Sequence, residues 1–179
     1  NFLRTDEQFY PKTAQELLNQ AAWLSKKAEG QLPRLFKKLY SLPFTVVPVA
    51  DNIAPTYTAG RYSGGSMQRQ RAGEYWVNTY KLESRTLYTL PALTLHEAVP
   101  GHCLQGIYNN KKSPDVLRSV FQNGAMIEGW AVYTEGMMVE NGWGNHEPEI
   151  ELALGVWKLR ELANVIIDYD NIADLSAMD

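Results

Sequence analysis

The chain has 179 residues, of which 45% are hydrophobic and 11% aromatic, and its formal net charge at pH 7 is -3. This size and composition are typical of a globular protein with its own core, and they exclude a disordered or fibrous chain. The lysines and arginines are scattered, which excludes nucleic acid as the expected partner. No apolar run approaches the roughly 20 residues of a transmembrane helix.

Helical periodicity dominates the first forty residues. Thr13, followed three residues later by Glu16, has the capping-box pattern, and apolar residues then recur at helical spacing up to Gly30. We therefore predict an amphipathic helix that ends near Gly30, followed by a shorter helix over residues 32–39.

Residues 44–80 have the composition of a small β-sheet. Residues 44–50 are rich in β-branched side chains, and Pro48 favours an edge position for this strand. Residues 54–65 predict strand and turn, and residues 74–80 alternate as a further strand. An extended substrate could pair with this last strand, with Tyr75 and Asn78 lining the cleft; ordinary sheet positions for both residues fit the pattern equally well.

From residue 87 onward the sequence is mainly helical. Residues 90–109 predict a helix interrupted by Pro100 and Gly101, and Ser113 followed by proline predicts a short helix over 117–121. Further helices are predicted over residues 124–140 and from Pro148 to about Asp170.

The predicted fold class is therefore α+β, mainly α. No segment has the composition of a linker, so residues 1–179 are predicted to form one domain. It has a small sheet at about 44–80, helices that carry a metal site at about 88–141, and a long C-terminal helix at about 148–170. The ends of the sequence suggest a fragment of a longer protein.

Two of the three histidines lie close together, in the stretch His96-Glu97-Ala98-Val99-Pro100-Gly101-His102. In a zincin helix two histidines four residues apart bind zinc, and the glutamate after the first activates water. Six residues on a regular helix would instead place the two side chains about 120° apart. Because Pro100 lacks an N–H and Gly101 tolerates unusual dihedral angles, we predict a distorted turn that returns His102 to the face of His96.

A catalytic zinc ion needs a third protein ligand. Glu128, on the helix over residues 124–140, is the preferred candidate, and Glu135 lies on the same face two turns later, where it could orient a ligand histidine. His146 is the competing third ligand, although its polar turn is typical of an exposed histidine. Cys103 is interpreted as a buried side chain and not as a thiolate ligand. A metzincin site is rejected because residues 103–108 contain no histidine.

Residues 73–78, 95–105 and 128–135, and more loosely 164–168, resemble a large bacterial family catalogued as domain of unknown function 885, which looks like a branch of the gluzincin metallopeptidases. The resemblance implies that His96, His102 and Glu128 bind zinc and that Glu97 is catalytic. It also implies a zincin-like domain that forms the C-terminal half of a longer protein, with a helical N-terminal half missing here. The family pattern has a histidine shortly after the aspartate matched by Asp168, whereas this chain has Ile172.

The primary hypothesis is hydrolysis of a peptide or related amide bond with Zn²⁺ as cofactor and Glu97 as general base. Manganese or cobalt could occupy the same ligand set. Candidate oxyanion donors are Tyr133, Tyr169 and Arg160. The competing hypotheses are a zinc-stabilised scaffold or binding domain without turnover, and a hydrolase of a non-peptide amide.

Overall fold

The computed structural model describes residues 2–40, 43–66, 69–112 and 123–176. The helices and strands within these ranges, in chain order, are α1 (Phe2–Thr5), α2 (Ala14–Leu35), β1 (Phe44–Pro48), β2 (Gly60–Ser63), β3 (Gly73–Val77), α3 (Leu90–Glu97), α4 (His102–Lys112), α5 (Gly124–Glu140) and α6 (Pro148–Ser176). The protein is mainly helical with one small sheet, which confirms the predicted fold class. The helix predicted over 117–121 lies outside the described residues.

Helix α2 begins at the predicted cap but does not end where it was predicted to end. The Thr13 hydroxyl accepts the N–H of Glu16, and the Glu16 carboxylate accepts the N–H of Lys12. The prediction of a break at Gly30 was wrong, because the helix continues to Leu35. Ala28 and Leu32 keep the helical spacing across Gly30 and are both buried, so core packing outweighs the low helix propensity of one glycine.

The sheet has the strand order β1-β3-β2. Strand β1 pairs with β3 in parallel, β2 pairs with β3 in antiparallel, and β1 lies at an edge as Pro48 predicted. The predicted addition of a substrate strand to β3 was wrong, because both edges of β3 are already paired. An edge remains on β2, where no other strand pairs within the described part of the chain.

Helix α3 is the centre of the core. All eight of its residues are buried, and it packs against α2, β2, α4, α5 and α6. A helix covered on every side has no polar face, which explains why its sequence is apolar all round. The ionisable residues His96 and Glu97 at its C-terminal end therefore lie inside the protein and not on its surface.

The last two helices follow their predicted bounds closely. Helix α5 has the predicted range, and the Asn123 side chain caps it by accepting the N–H of Met126. Helix α6 starts at Pro148 as predicted and extends to Ser176. Among the described residues, no helix is both long and apolar enough to span a bilayer.

Candidate metal centre

A sharp turn separates the two histidines of the motif. Helix α3 ends at Glu97, Ala98 has φ -87° and ψ -115°, the Val99–Pro100 peptide bond is cis, and α4 begins at His102. The predicted distortion is therefore a full interruption between two helices and not a bulge within one. The N–H of Gly101 donates to the carbonyl of Leu95, and the N–H of Cys103 donates to that of Ala98, so backbone hydrogen bonds tie the turn to α3 and to the start of α4.

Residue 101 must be glycine in this turn. A Cβ atom there would lie 1.8 Å from the carbonyl oxygen of His96 and 2.5 Å from that of Leu95. Both neighbours are backbone atoms, which cannot rotate away as a flexible side chain could. The absence of a side chain at Gly101 is what allows α4 to start directly against the end of α3.

This turn brings the two imidazoles together with a carboxylate from α5. Oε2 of Glu128 lies 3.2 Å from Nε2 of His96 and 3.4 Å from Nε2 of His102. The two imidazole rings are nearly perpendicular, with their centroids 4.7 Å apart. One ligand atom from each of the three residues lies within 4.8 Å of the others, so the set His96, His102 and Glu128 can hold a metal ion.

The measured distances fit tetrahedral zinc. Ligand atoms about 2.0 to 2.1 Å from a tetrahedral ion lie roughly 3.3 Å from one another, which is close to both distances at Glu128. The side chain of Glu128 is 62% exposed, whereas that of His96 is 10% exposed, so the cluster lies between the core and the solvent. The three residues therefore fit a zinc ion bound through three protein ligands.

Glu135 contacts the ring nitrogen of His96 that faces away from Glu128. Its carboxylate is fully buried, and Oε1 lies 2.7 Å from Nδ1 of His96. A neutral His96 that donates from Nδ1 to Glu135 turns the lone pair of Nε2 toward Glu128. Both Nε2 and the Glu128 oxygen are then acceptors, and a cation between them relieves their repulsion.

A second acidic residue approaches from α6. Glu161 lies with His96 and Glu135 in another group whose ligand atoms are all within 4.8 Å. Burial raises the pKa of the carboxyls of both Glu135 and Glu161. This group shares His96 with the first one, and Nδ1 of that imidazole is already bonded to Glu135. Its geometry thus supports the orientation of His96 and not a separate metal site.

The carboxylate of Glu97 is held by a backbone contact. It is 8% exposed, and its Oε2 accepts the N–H of Tyr62 on β2 at 2.8 Å. Burial raises the pKa of the Glu97 carboxyl, while the charges of His96 and His102 and the Tyr62 N–H oppose that shift. A carboxyl whose pKa is raised toward neutrality is suited to taking and returning a proton.

Opposing effects act on the pKa of His96. Burial lowers it, but the hydrogen bond to Glu135 and the charges of Glu97, Glu135 and Glu128 outweigh burial and raise the pKa to about 8. Without a metal, this acidic surrounding favours a proton on His96. A divalent cation bound to Nε2 would replace that proton.

Tyr75 and Asn78 do not line a cleft. Both side chains are fully buried; the Tyr75 hydroxyl lies 3.3 Å from that of Thr94, and the Asn78 amide donates to the carbonyls of Ala54, Tyr57 and Thr58. Asn78 thus ties β3 to the loop before β2. The prediction that these two residues contact substrate was wrong, because neither has surface for a substrate to touch.

The structure does not bring Tyr133, Arg160 or His146 to the three clustered side chains. Tyr133 and Arg160 are exposed on α5 and α6, and no contact joins them to the three ligands in the described structure. The side chain of Tyr169 lies outside the described residues. His146 is exposed, with its Nδ1 3.5 Å from Glu151, so the structure brings Glu128 and not His146 to the other two histidines. Cys103 is buried, and burial raises the pKa of its thiol to about 12.

Two contacts at the site have no signature in the sequence. The Tyr62 N–H that holds Glu97 is a backbone group, which any residue on β2 would supply. The indole N–H of Trp130 donates to the carbonyl of Pro100 at 3.0 Å. A tryptophan two residues after Glu128 does not by itself indicate such a bond, because the partner is a backbone oxygen 30 residues away.

The chain belongs to the family described as "Bacterial protein of unknown function (DUF885)", whose profile matches residues 1–171. It has no significant match among curated proteins. It is similar to a solved structure described as a "putative lipoprotein" from Colwellia psychrerythraea, with a TM-score of 0.79 and 25% sequence identity. The match covers 85% of this chain but only 27% of the solved chain, so this chain spans about a quarter of that protein's length.

Proposed function

We propose that this chain carries the active site of a zinc-dependent hydrolase of the metallopeptidase type, cleaving peptide or related amide bonds. The observation that supports it most is a carboxylate oxygen that lies 3.2 and 3.4 Å from two imidazole nitrogens, with a buried glutamate directly after the first histidine. In this proposal His96, His102 and Glu128 bind the ion. The descriptions of the family and of the structural relative name no activity.

Each residue has a distinct proposed role. Bound zinc would polarise a water molecule and the substrate carbonyl. The free oxygen of Glu97 takes the proton from that water and returns it to the leaving amine, while the Tyr62 N–H holds the other oxygen in place. Glu135 keeps His96 in the tautomer that presents Nε2. The gluzincin assignment rests on this division of roles and on the resemblance of the motifs.

The outer edge of β2 is the proposed place for an extended substrate. The N–H of Tyr62 points from this edge to Glu97, so the edge runs directly past the general base. Strand addition there would place the scissile bond beside Glu97 and the ligand set. This replaces β3 as the substrate-pairing strand, since β2 alone combines an unpaired edge with a contact to the site in the described structure.

Further polypeptide is proposed to cover α6. Large apolar side chains along this helix are more than half exposed, with Leu159 at 68% and Ile166 at 62%. A helix that is apolar on a wide face is usually buried against other elements. Because the solved relative is far longer than this chain, we propose that a further part of a longer protein, an N-terminal helical half, packs on this face and walls the cleft.

Replacement of Glu97 by Gln tests the peptidase mechanism. The variant keeps the shape and the hydrogen bond from Tyr62 but cannot accept the proton, so we expect zinc to stay bound and hydrolysis of a peptide library to fall by at least about 100-fold. The assay uses the longest natural polypeptide that contains this chain. Unchanged hydrolysis would dismiss the mechanism.

A zinc-stabilised binding domain without turnover is the competing proposal. It is favoured by Ile172, which stands where the family pattern has a histidine. Zinc binding by the wild-type protein with no hydrolysis of peptides or other amides would support this second function. Hydrolysis of non-peptide amides alone would retain the zinc mechanism but change the substrate class.

A further inference from the structure

One side chain links the turn between the histidines to the helix that carries the third ligand. Trp130 lies on α5, two residues after Glu128, and its indole N–H donates to the carbonyl of Pro100 at 3.0 Å. Pro100 is buried, and no other donor to its carbonyl is found among the described residues. The indole therefore supplies the hydrogen bond that this buried carbonyl needs.

We infer that Trp130 is a positioning residue for the metal centre, which fixes the turn at 98–101 against α5 and so sets the separation of His102 from Glu128. This inference rests on the proposed zinc site. In this role Trp130 touches neither the nitrogen and oxygen atoms that would bind the metal nor a substrate. It acts on them through the backbone of Pro100.

The ligand geometry depends on where this turn lies. His102 immediately follows the turn, whereas Glu128 belongs to α5, so their 3.4 Å separation changes if the turn moves relative to that helix. On its inner side the turn contacts the end of α3 so closely that a side chain at Gly101 would collide with the carbonyl oxygen of His96. On the other side the indole of Trp130 holds it.

The ring of Trp130 also packs, and this packing must be separated from the hydrogen bond. Its centroid lies 6.4 Å from that of Phe36 and 6.3 Å from that of Tyr133. Replacement by Phe keeps an aromatic ring between these neighbours but removes the N–H. A purely structural role would then leave the metal centre of the folded variant unchanged.

The test compares Trp130→Phe with wild type by zinc affinity, measured in competition with a chromophoric chelator, and by the visible absorption spectrum of bound Co²⁺. We expect zinc binding to weaken by about 10- to 100-fold, as for other contacts that orient metal ligands, and the cobalt spectrum to shift. The melting temperature of the metal-free protein reports folding separately. Trp23→Phe is the matched control, because Trp23 is 54% exposed on α2, away from the site.

The outcomes separate this inference from the proposed function. Wild-type zinc affinity and an unchanged cobalt spectrum in Trp130→Phe would overturn the inference and leave the zinc site standing. Absence of zinc binding by the wild-type protein would overturn both. If the Phe variant does not fold, benzothienylalanine at position 130 keeps the bicyclic shape and replaces the N–H by sulfur. The same loss of affinity is expected there, and wild-type affinity would again refute the inference.

Discussion

Substitution of Gly101 by Ala disturbs the turn on which the ligand set depends. The new methyl group would lie 1.8 Å from the carbonyl oxygen of His96, and Cβ contacts below 3.0 Å are essentially never observed. The two backbone segments must separate by about 1 Å. A metal–ligand bond tolerates only about 0.2 Å, so a shift of this size at His102 breaks one of three coordination bonds.

We expect Gly101→Ala to weaken zinc binding by at least about 100-fold, which corresponds to about 3 kcal/mol. The competition titration with a chromophoric chelator measures this directly, and thermal unfolding of the metal-free protein measures the cost of overpacking, about 1 to 3 kcal/mol. Gly129→Ala is the matched control on α5, because a Cβ there meets nothing within 4 Å. Wild-type affinity in Gly101→Ala would refute the steric reasoning.

Three further predictions concern the surroundings of the ligands. Glu135→Gln removes the buried charge 2.7 Å from Nδ1 of His96, and we expect zinc affinity to fall about 10- to 100-fold; an unchanged affinity would show that the carboxylate does not orient the imidazole. Because the pKa of His96 is raised to about 8, protons compete with zinc below that pH, so affinity should fall up to about tenfold per pH unit as the pH drops from about 8 and level off above it. A pH-independent affinity over this range would contradict the role of His96. His146→Gln should leave zinc affinity unchanged whereas His102→Gln should abolish tight binding, and the reverse result would make His146 the ligand.

The sequence predicts those parts of the fold that depend on local signals. The cap at Thr13, the edge position of β1 and the range of α5 follow from residues that act on their own neighbours. The helix break at 98–101 follows from the proline and glycine within it. The continuation of α2 past Gly30 does not, because burial of Leu32 in the core decides it.

Part of the candidate site was also beyond sequence reasoning. The residue types and their spacing indicated that His96, His102 and Glu128 form one metal site, because two imidazoles and a carboxylate are a typical set of zinc ligands. Tyr75 and Asn78 were misassigned because β3 is the central strand, and no residue within β3 indicates its place in the strand order as Pro48 does for β1. The contacts of Tyr62 and Trp130 each involve one backbone group, and a backbone group leaves no trace in residue type.

Anomalous diffraction at the zinc absorption edge, from crystals of the zinc-loaded protein, tests the proposed metal centre most directly. We predict one strong peak within about 2.1 Å of Nε2 of His96, Nε2 of His102 and a carboxylate oxygen of Glu128. A zinc peak at other residues, such as His146, or no peak at this cluster, would contradict it.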